Sequence, residues 1–208
     1  MKTKFGTKEL VLLGLLAAIV MIFSFTPYGT FAIGPLSITL NIIPIAIAAI
    51  ALGPIGGLII GSLFGLLSFL QCYGVGVLSG MGAILVDINP FLAFVQRFVP
   101  RALDGLLVGF IFKGVSKISN NSVGSFVTGF FSAFLNTLLF MTALLLLFGN
   151  TDYVQGLRGG KSALLFIVTF VGVNAVVEMV VSTLLSGLIG SALSAAKLIP
   201  ASSSKKSE

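Results

Sequence analysis

The sequence contains no histidine, no tryptophan, a single cysteine and very few charged side chains. Without histidine, the commonest general base and the commonest transition-metal ligand are both missing, so catalytic triads built on that residue are excluded. Cys72 alone can form neither an intramolecular disulfide nor a cysteine-based metal site. An intramembrane protease with paired aspartates is excluded, because the sequence has no second aspartate within a predicted helix. No phosphate-binding motif suggests an ATP site. We therefore expect neither an enzyme nor a protein with its own cofactor.

The low content of charged residues indicates which medium surrounds the protein. Charged residues make up 9% of the sequence and hydrophobic residues 57%, whereas a soluble domain carries about 25% charged residues. Lipid must therefore surround most of the protein, which makes it an all-α integral membrane protein. Six spans of about 20 residues fit within 208 residues, and a soluble domain would not fit beside them. Basic residues are scattered singly, which excludes a nucleic-acid-binding patch.

Apolar runs bounded by proline, glycine and polar stretches predict six transmembrane helices, at 9–25, 37–52, 54–70, 90–113, 122–148 and 162–195. The first lacks a nearby signal-peptide cleavage site and is expected to be retained. The second contains Pro44, where a kink is expected. These helices make residues 1–201 one transmembrane domain, and 202–208 a short disordered cytoplasmic tail.

Three connections stand out between the predicted helices. Gly34-Pro35 marks a turn between the first two. A glycine-rich stretch at 71–89 is apolar enough to dip into the membrane or to cover a pocket. The polar stretch at 149–161 is predicted to be a loop.

The distribution of basic residues predicts the orientation. One side of the membrane receives eight of them, namely Lys2, Lys4, Lys8, Lys113, Lys117, Lys197, Lys205 and Lys206. The other side receives two, Arg158 and Lys161. Because basic residues accumulate on the cytoplasmic side, both termini are expected in the cytoplasm.

Four ionisable residues fall within the predicted helices away from their end residues, where such groups are costly and usually functional. They are Arg97, Arg101, Asp104 and Glu178. Arg97 lies in the outer part of helix four, where its guanidinium fork could pair with the carboxylate of an external ligand. Two alternatives stay open: Arg101 could form an internal ion pair with Asp104 or Glu178, and Arg97 could extend to the outer interface.

Buried amides add to these charges. Asn136 lies in the middle of helix five, and Asn174 lies one turn before Glu178 on helix six. Each asparagine could simply hydrogen-bond a neighbouring helix. Polar groups at similar depth on three helices instead favour an outward-open cavity among helices four, five and six.

Glycine recurs every fourth residue along helix three, at Gly53, Gly57, Gly61 and Gly65. This spacing places the glycines on one face and predicts close backbone approach to a neighbouring helix. Gly14 and Ala18 form a smaller version of the pattern on helix one.

Several of these segments together resemble the substrate-binding S components of energy-coupling factor (ECF) vitamin transporters. The resemblance rests on Thr26-Pro27-Tyr28-Gly29 with Ile33-Gly34-Pro35, on Leu52-Gly53-Pro54-Ile55-Gly56-Gly57, and on Asn89-Pro90 leading to Arg97, Pro100-Arg101 and Gly105. Within that family the sequence is most similar to the pantothenate-type members, so pantothenate is the expected substrate.

The resemblance implies a six-helix S-component fold in a bacterial cytoplasmic membrane, with both termini inside. It implies that one vitamin binds under the external loops, with Arg97, Arg101, Asn136, Asn174, Glu178, Tyr73 and Asn89 as candidate contacts. It also implies three partners, a transmembrane coupling protein (T component) and two cytoplasmic ATPases that bind the ATP. Gly14 and Ala18 match the small residues that contact the coupling protein.

Other functions remain open from the sequence. The absence of tryptophan disfavours thiamine, whereas 19 phenylalanines and Tyr73 leave riboflavin or folate possible as ring-stacking substrates. A stand-alone membrane carrier or channel would transport without ATPases. A membrane scaffold would bind no small molecule.

Overall fold

The computed structural model describes residues 5–33 and 36–199. The predicted turn at Gly34-Pro35, the predicted tail at 202–208 and the terminal lysines Lys2, Lys4, Lys205 and Lys206 lie outside the described residues.

The described chain is helical apart from one small antiparallel sheet. The helices are α1 Thr7–Phe25, α2 Ile42–Leu70, α3 Gly80–Ile88, α4 Pro90–Ile118, α5 Asn121–Phe148, α6 Asp152–Arg158 and α7 Ala163–Ala195. The strands are β1 Thr30–Ile33 and β2 Leu36–Thr39, with Thr30 paired opposite Thr39. Short 3₁₀ turns occupy Pro27–Gly29 and Gln71–Tyr73.

Four helical stretches of the described chain are long and apolar enough to cross a membrane. They are Thr7–Phe25, Ile42–Tyr73, Asn121–Phe148 and Ala163–Ala195. Helix α4 is as long as the others but carries five charged residues, including both buried arginines. The site-bearing helix is therefore the least apolar of the long helices.

Helix α2 is two helical segments joined at Gly53. Gly53 has φ 74° and ψ −167°, a backbone conformation that glycine adopts without steric cost. The following Pro54 lacks an N–H and disfavours helical geometry at the residue before it. The segments 42–52 and 54–70 correspond to the second and third predicted helices.

The predicted start of helix two and its predicted kink are wrong. Residues 37–39 belong to β2, and the helix begins at Ile42. Pro44 sits in the first turn, where backbone N–H groups have no intrahelical acceptor, so a proline there breaks no hydrogen bond. The sequence also gave no indication of α3 and α6, because both are short and lie in glycine-rich or polar stretches.

The second segment of α2 runs antiparallel to α4 with backbone in direct contact. A Cβ added at Gly57, Gly61 or Gly65 would collide with the backbone of Gly105, Arg101 or Phe98, respectively. The predicted close approach on this glycine face is thereby confirmed for these three residues. Gly53 instead forms the break.

Helices α5 and α7 form a second antiparallel pair, in which glycines alternate with serines. A Cβ at Gly129 would meet Ser182 and Ser186, and one at Gly190 would meet Ser125. At one end of the bundle, Ile50, Phe112 and Ile199 pack together. The cavity described below lies towards the opposite end, where α3 and α6 are found.

Candidate functional site

A cavity of about 160 Å³ lies among α2, α4, α5, α7, β2 and the segment 71–88. A cavity needs about 10–15 Å³ of such space to hold one water, so this cavity is large enough for a small molecule. Five of the seven predicted contact residues line it: Arg97, Arg101, Asn136, Asn174 and Glu178. Residues from three separate helices are thus brought to one cavity.

Arg97 connects the cavity to the segment above it. Its Nη2 donates to the Ser79 Oγ at 3.1 Å, and its guanidinium lies 5.2 Å from the centre of the Phe140 ring. Ser79 also caps α3, because its Oγ accepts from the Gly82 N–H at 3.2 Å. The arginine Nε is buried without a hydrogen-bond partner. Arg97 therefore keeps donor capacity available to a ligand.

Arg101 lies one turn deeper on the same helix. Its Nη1 donates to the carbonyl oxygen of Arg97 at 2.8 Å. Its guanidinium lies 4.7 Å from the Phe64 ring centre and 5.1 Å from that of Phe140. Cation–π contacts of this kind stabilise a desolvated arginine without neutralising its charge.

Neither guanidinium is neutralised by an acid within the described part of the chain, where no carboxylate oxygen lies within 4.0 Å of either group. Glu178 instead accepts the backbone N–H of Thr39 at 2.7 Å, and the Oδ2 of Asp104 lies 3.2 Å from the Ser132 hydroxyl. The internal ion pair considered for Arg101 is not formed. Two buried cations and one acid therefore line the cavity, which favours an anionic occupant.

The two asparagines differ in their partners. Asn136 is buried, and its Oδ1 has no hydrogen-bond partner. Asn174 is also buried but has a partner within the protein. Asn136 is thus the amide that offers a free acceptor to a ligand.

Tyr73 and Asn89 lie outside the cavity lining. Tyr73 is 55% exposed and packs edge-on against Phe69, with ring centres 5.4 Å apart. Asn89 caps α4, because its Oδ1 accepts the N–H of Leu92 at 3.0 Å. Both residues have local structural roles here.

Several cavity residues were not anticipated from the sequence. Ser79, Phe64, Phe140 and Thr39 all line it. A lone serine before a glycine-rich helix and two of 19 phenylalanines carry no distinguishing local signal. Only the three-dimensional packing selects them.

Gly82, in the first turn of α3, packs tightly against Cys72 and Ser79 of the same segment and against Arg97 of α4. A Cβ at this position would lie 2.5 Å from the Cys72 Sγ, 2.9 Å from the Ser79 Oγ and 3.0 Å from the Arg97 Nη2. The absence of a side chain therefore allows α3 to approach Arg97. The lone cysteine is buried in the same contact.

Tyr153 on α6 packs against the apolar cluster beside this arrangement. Burial raises the pKa of the Tyr153 phenol, and the positive charge of nearby Arg97 opposes that rise. The polar loop predicted at 149–161 thus contributes a short helix close to the arginine.

Gly14 and Ala18 lie on the surface of α1 and do not line the cavity. Gly14 is exposed and a Cβ there would meet nothing within 4 Å, and Ala18 is partly exposed. No described helix covers Gly14.

Comparison with known proteins places the chain among membrane transporters. Residues 8–190 match the family described as ECF transporter, substrate-specific component. The chain is 29% identical over 171 residues to the pantothenic acid transporter PanT of Lactococcus lactis subsp. cremoris, covering 78% of this chain and 81% of that protein. It is 28% identical over 198 residues to the pantothenate transporter PanT of Leuconostoc mesenteroides subsp. mesenteroides, covering 90% and 92%.

Proposed function

The chain belongs to the family of substrate-specific components of ECF transporters, and from this premise we propose that it captures pantothenate for uptake. It is a multi-pass protein of a bacterial cell membrane. In the proposed cycle it binds the vitamin from outside and delivers it inward together with an ATP-driven coupling module. The chain itself acts as a binding subunit and catalyses no reaction.

One observation carries the substrate assignment: Arg97 and Arg101 are buried beside the cavity without an acidic partner among the described residues. A buried, unpaired charge is strongly unfavourable, so a ligand carboxylate that neutralises one of them is bound with a large gain. Pantothenate has a carboxylate at one end and an amide and hydroxyls along its length. The two relatives named for pantothenate support the same choice.

The polar groups suit an extended molecule with one charged end. Arg97 would pair with the carboxylate through charge-assisted hydrogen bonds. The free Asn136 Oδ1 would accept a hydroxyl or amide proton, and Phe140 would pack against the carbon chain. Because both hydrogen-bonding and apolar atoms line the site, the cavity can distinguish pantothenate from a simple fatty acid.

The proposed topology has six crossings with both termini inside. In this topology the chain turns at Gly53, so that the segment 42–52 runs from the outer to the inner side and the segment 54–70 runs back outward. With α1, α4, α5 and α7, these two segments make six crossings. The segment 42–52 is about 16 Å long, roughly half the apolar thickness of a bilayer, and β1 and β2 precede it on the outer side. Lys8, Lys113, Lys117 and Lys197 share one end of the bundle, whereas Arg158 and Lys161 lie at the other, in keeping with cytoplasmic termini.

A T component and two ATPases are the proposed partners, and this chain would hold no cofactor of its own. The open surface around Gly14 and Ala18 is the proposed contact with the T component. Changing both residues to leucine should leave pantothenate affinity unchanged and abolish ATP-driven uptake in reconstituted vesicles. Loss of binding instead would show that this face packs inside the subunit.

Calorimetry on the purified, detergent-solubilised protein tests the substrate assignment. Pantothenate should bind, and its alcohol analogue, in which CH₂OH replaces the carboxylate, should bind about ten- to a hundredfold more weakly because a charge-assisted hydrogen bond is lost. No binding of pantothenate would reject the assignment. Riboflavin and folate serve as the competing ligands, and uptake by the chain alone, without ATPases, would indicate a stand-alone carrier.

A further inference from the structure

A second polar cluster lies apart from the cavity, where α2, α4 and α5 meet. Asp104 on α4 is 0% exposed and does not line the cavity. Its Oδ2 lies 3.2 Å from the Ser132 Oγ on α5. The same Oγ lies 3.4 Å from the carbonyl oxygen of Ile42, in the first turn of α2. One serine hydroxyl thus joins three helices.

Hydrogen-bond accounting indicates the protonation state of this cluster. A serine hydroxyl has one proton to donate, but both the carboxyl oxygen and the Ile42 carbonyl are within its reach. An ionised Asp104 would therefore compete with Ile42 for that proton, while its other oxygen, Oδ1, has no partner at all. A protonated Asp104 resolves the conflict, because its own O–H donates to Ser132 and leaves the serine free to donate to Ile42.

We propose that Asp104 is a neutral carboxylic acid that donates to Ser132, and that this relay holds the first segment of α2 against α4 and α5. In this proposal the Asp104 carboxyl group carries a proton and binds no metal cation. The residue acts by position, since it touches no part of the cavity.

The charges around Asp104 support a neutral acid. Helices α2 and α5 contain no titratable side chain, and Glu178 is the one such residue on α7. Arg101 is the charged group of the described chain that acts on Asp104, but it is held by the Arg97 carbonyl and by Phe64 and Phe140. An unpaired carboxylate in the membrane interior is costly, and protonation removes that cost.

The relay also bears on the ligand cavity. Ile42 follows Thr39 by three residues, and the Thr39 N–H donates to Glu178 at the cavity wall. Fixing the start of α2 therefore fixes this part of the wall. That consequence rests on the proposed function, whereas the protonation state of Asp104 does not, and the readouts below require no ligand.

Infrared difference spectroscopy on the purified protein tests the proposal. Wild-type minus Asp104→Asn should show the C=O stretch of a protonated carboxylic acid at neutral pH, and Ser132→Ala should shift that band because its acceptor is lost. Asp104→Asn should keep the unfolding temperature within about 2 °C of wild type, since an amide N–H can replace the acid O–H. Asp104→Ala should lower it by about 4–8 °C.

Two results would overturn the proposal. The first is a carboxylate band, with no acid band, assigned to Asp104 at neutral pH. The second is a wild-type unfolding temperature that rises with NaCl but not with choline chloride, while that of Asp104→Asn rises with neither salt. This pattern would indicate a sodium site at Asp104. If Asp104→Asn fails to fold, the wild-type minus Ser132→Ala difference spectrum reports the protonation state of Asp104 independently.

Discussion

The cavity has two unlike walls. The back wall, formed by the second segment of α2 and by α4, is held by backbone-to-backbone contact at Gly57, Gly61 and Gly65. The cover, residues 71–88, is held by side chains: Met81, Leu85 and Val86 pack into an apolar cluster with residues of α5 and α7. Polar side-chain contacts add to this, among them the Gln71 Nε2 donating to the Ser24 carbonyl at 2.9 Å and the Arg97–Ser79 hydrogen bond. The back wall cannot change without moving backbone, whereas the cover can change by moving side chains.

Each wall holds one of the two arginines. The carbonyl of Arg101 packs against Gly61, so this residue is fixed by the back wall. Arg97 donates to Ser79 of the cover, so its side chain is positioned by the more adaptable wall. Substitutions in the back wall should therefore affect folding first, and substitutions at the cover should affect ligand affinity first.

Gly61→Ala is expected to have the largest effect. The new methyl group would collide with the Arg101 carbonyl, and overpacking of this kind costs about 1–3 kcal/mol or more. The unfolding temperature in detergent should fall by about 2–12 °C. Gly114→Ala is the matched control, because nothing lies within 4 Å of a Cβ there. Equal stability of the two variants would show that the back wall is not tightly packed.

Arg97→Ala should leave the fold intact and weaken pantothenate binding about ten- to a hundredfold, because a charge-assisted hydrogen bond contributes about 1.5–3 kcal/mol. Arg97→Lys should restore only part of the affinity, since it keeps the charge and loses the planar fork. Calorimetry measures both. An unchanged affinity in Arg97→Ala would indicate that Arg101, and not Arg97, pairs with the pantothenate carboxylate.

Gly82→Ala is expected to have the smallest effect of the three. Its methyl group would lie closest to the Sγ of the buried Cys72, at 2.5 Å, and would also crowd the Ser79 Oγ and the Arg97 Nη2, all of them side-chain rather than backbone atoms. Affinity should fall about three- to tenfold, or roughly 1 kcal/mol, and the unfolding temperature should fall less than in Gly61→Ala. Gly80→Ala, with no atom within 4 Å of its Cβ, is the control and should bind like wild type. A large loss of stability in Gly82→Ala would mean that the cover is as rigid as the back wall.

Sequence periodicity predicted the back wall but not the cover. Four-residue spacing places Gly57, Gly61 and Gly65 on one helix face whatever they contact, so the close approach could be read directly. The position of Ser79 over Arg97 depends on how a glycine-rich segment folds back, and no local pattern encodes that path. Likewise, Arg101 and Asp104 are three residues apart, yet contacts with Phe140 and Ser132 on another helix separate their side chains.

Helix α4 carries the site and is also the long helix least able to enter a bilayer by itself. Each arginine or aspartate near the centre of a lone helix costs about 2.5–3.5 kcal/mol during insertion from the translocon, so Arg97, Arg101 and Asp104 together oppose the partitioning of an isolated α4. The glycine face of α2 is synthesised first and is available when α4 emerges. Under the proposed six-crossing topology, we therefore expect the α2–α4 contact to aid the insertion of α4, and a defect in it to lower the amount of protein in the membrane before any ligand is bound.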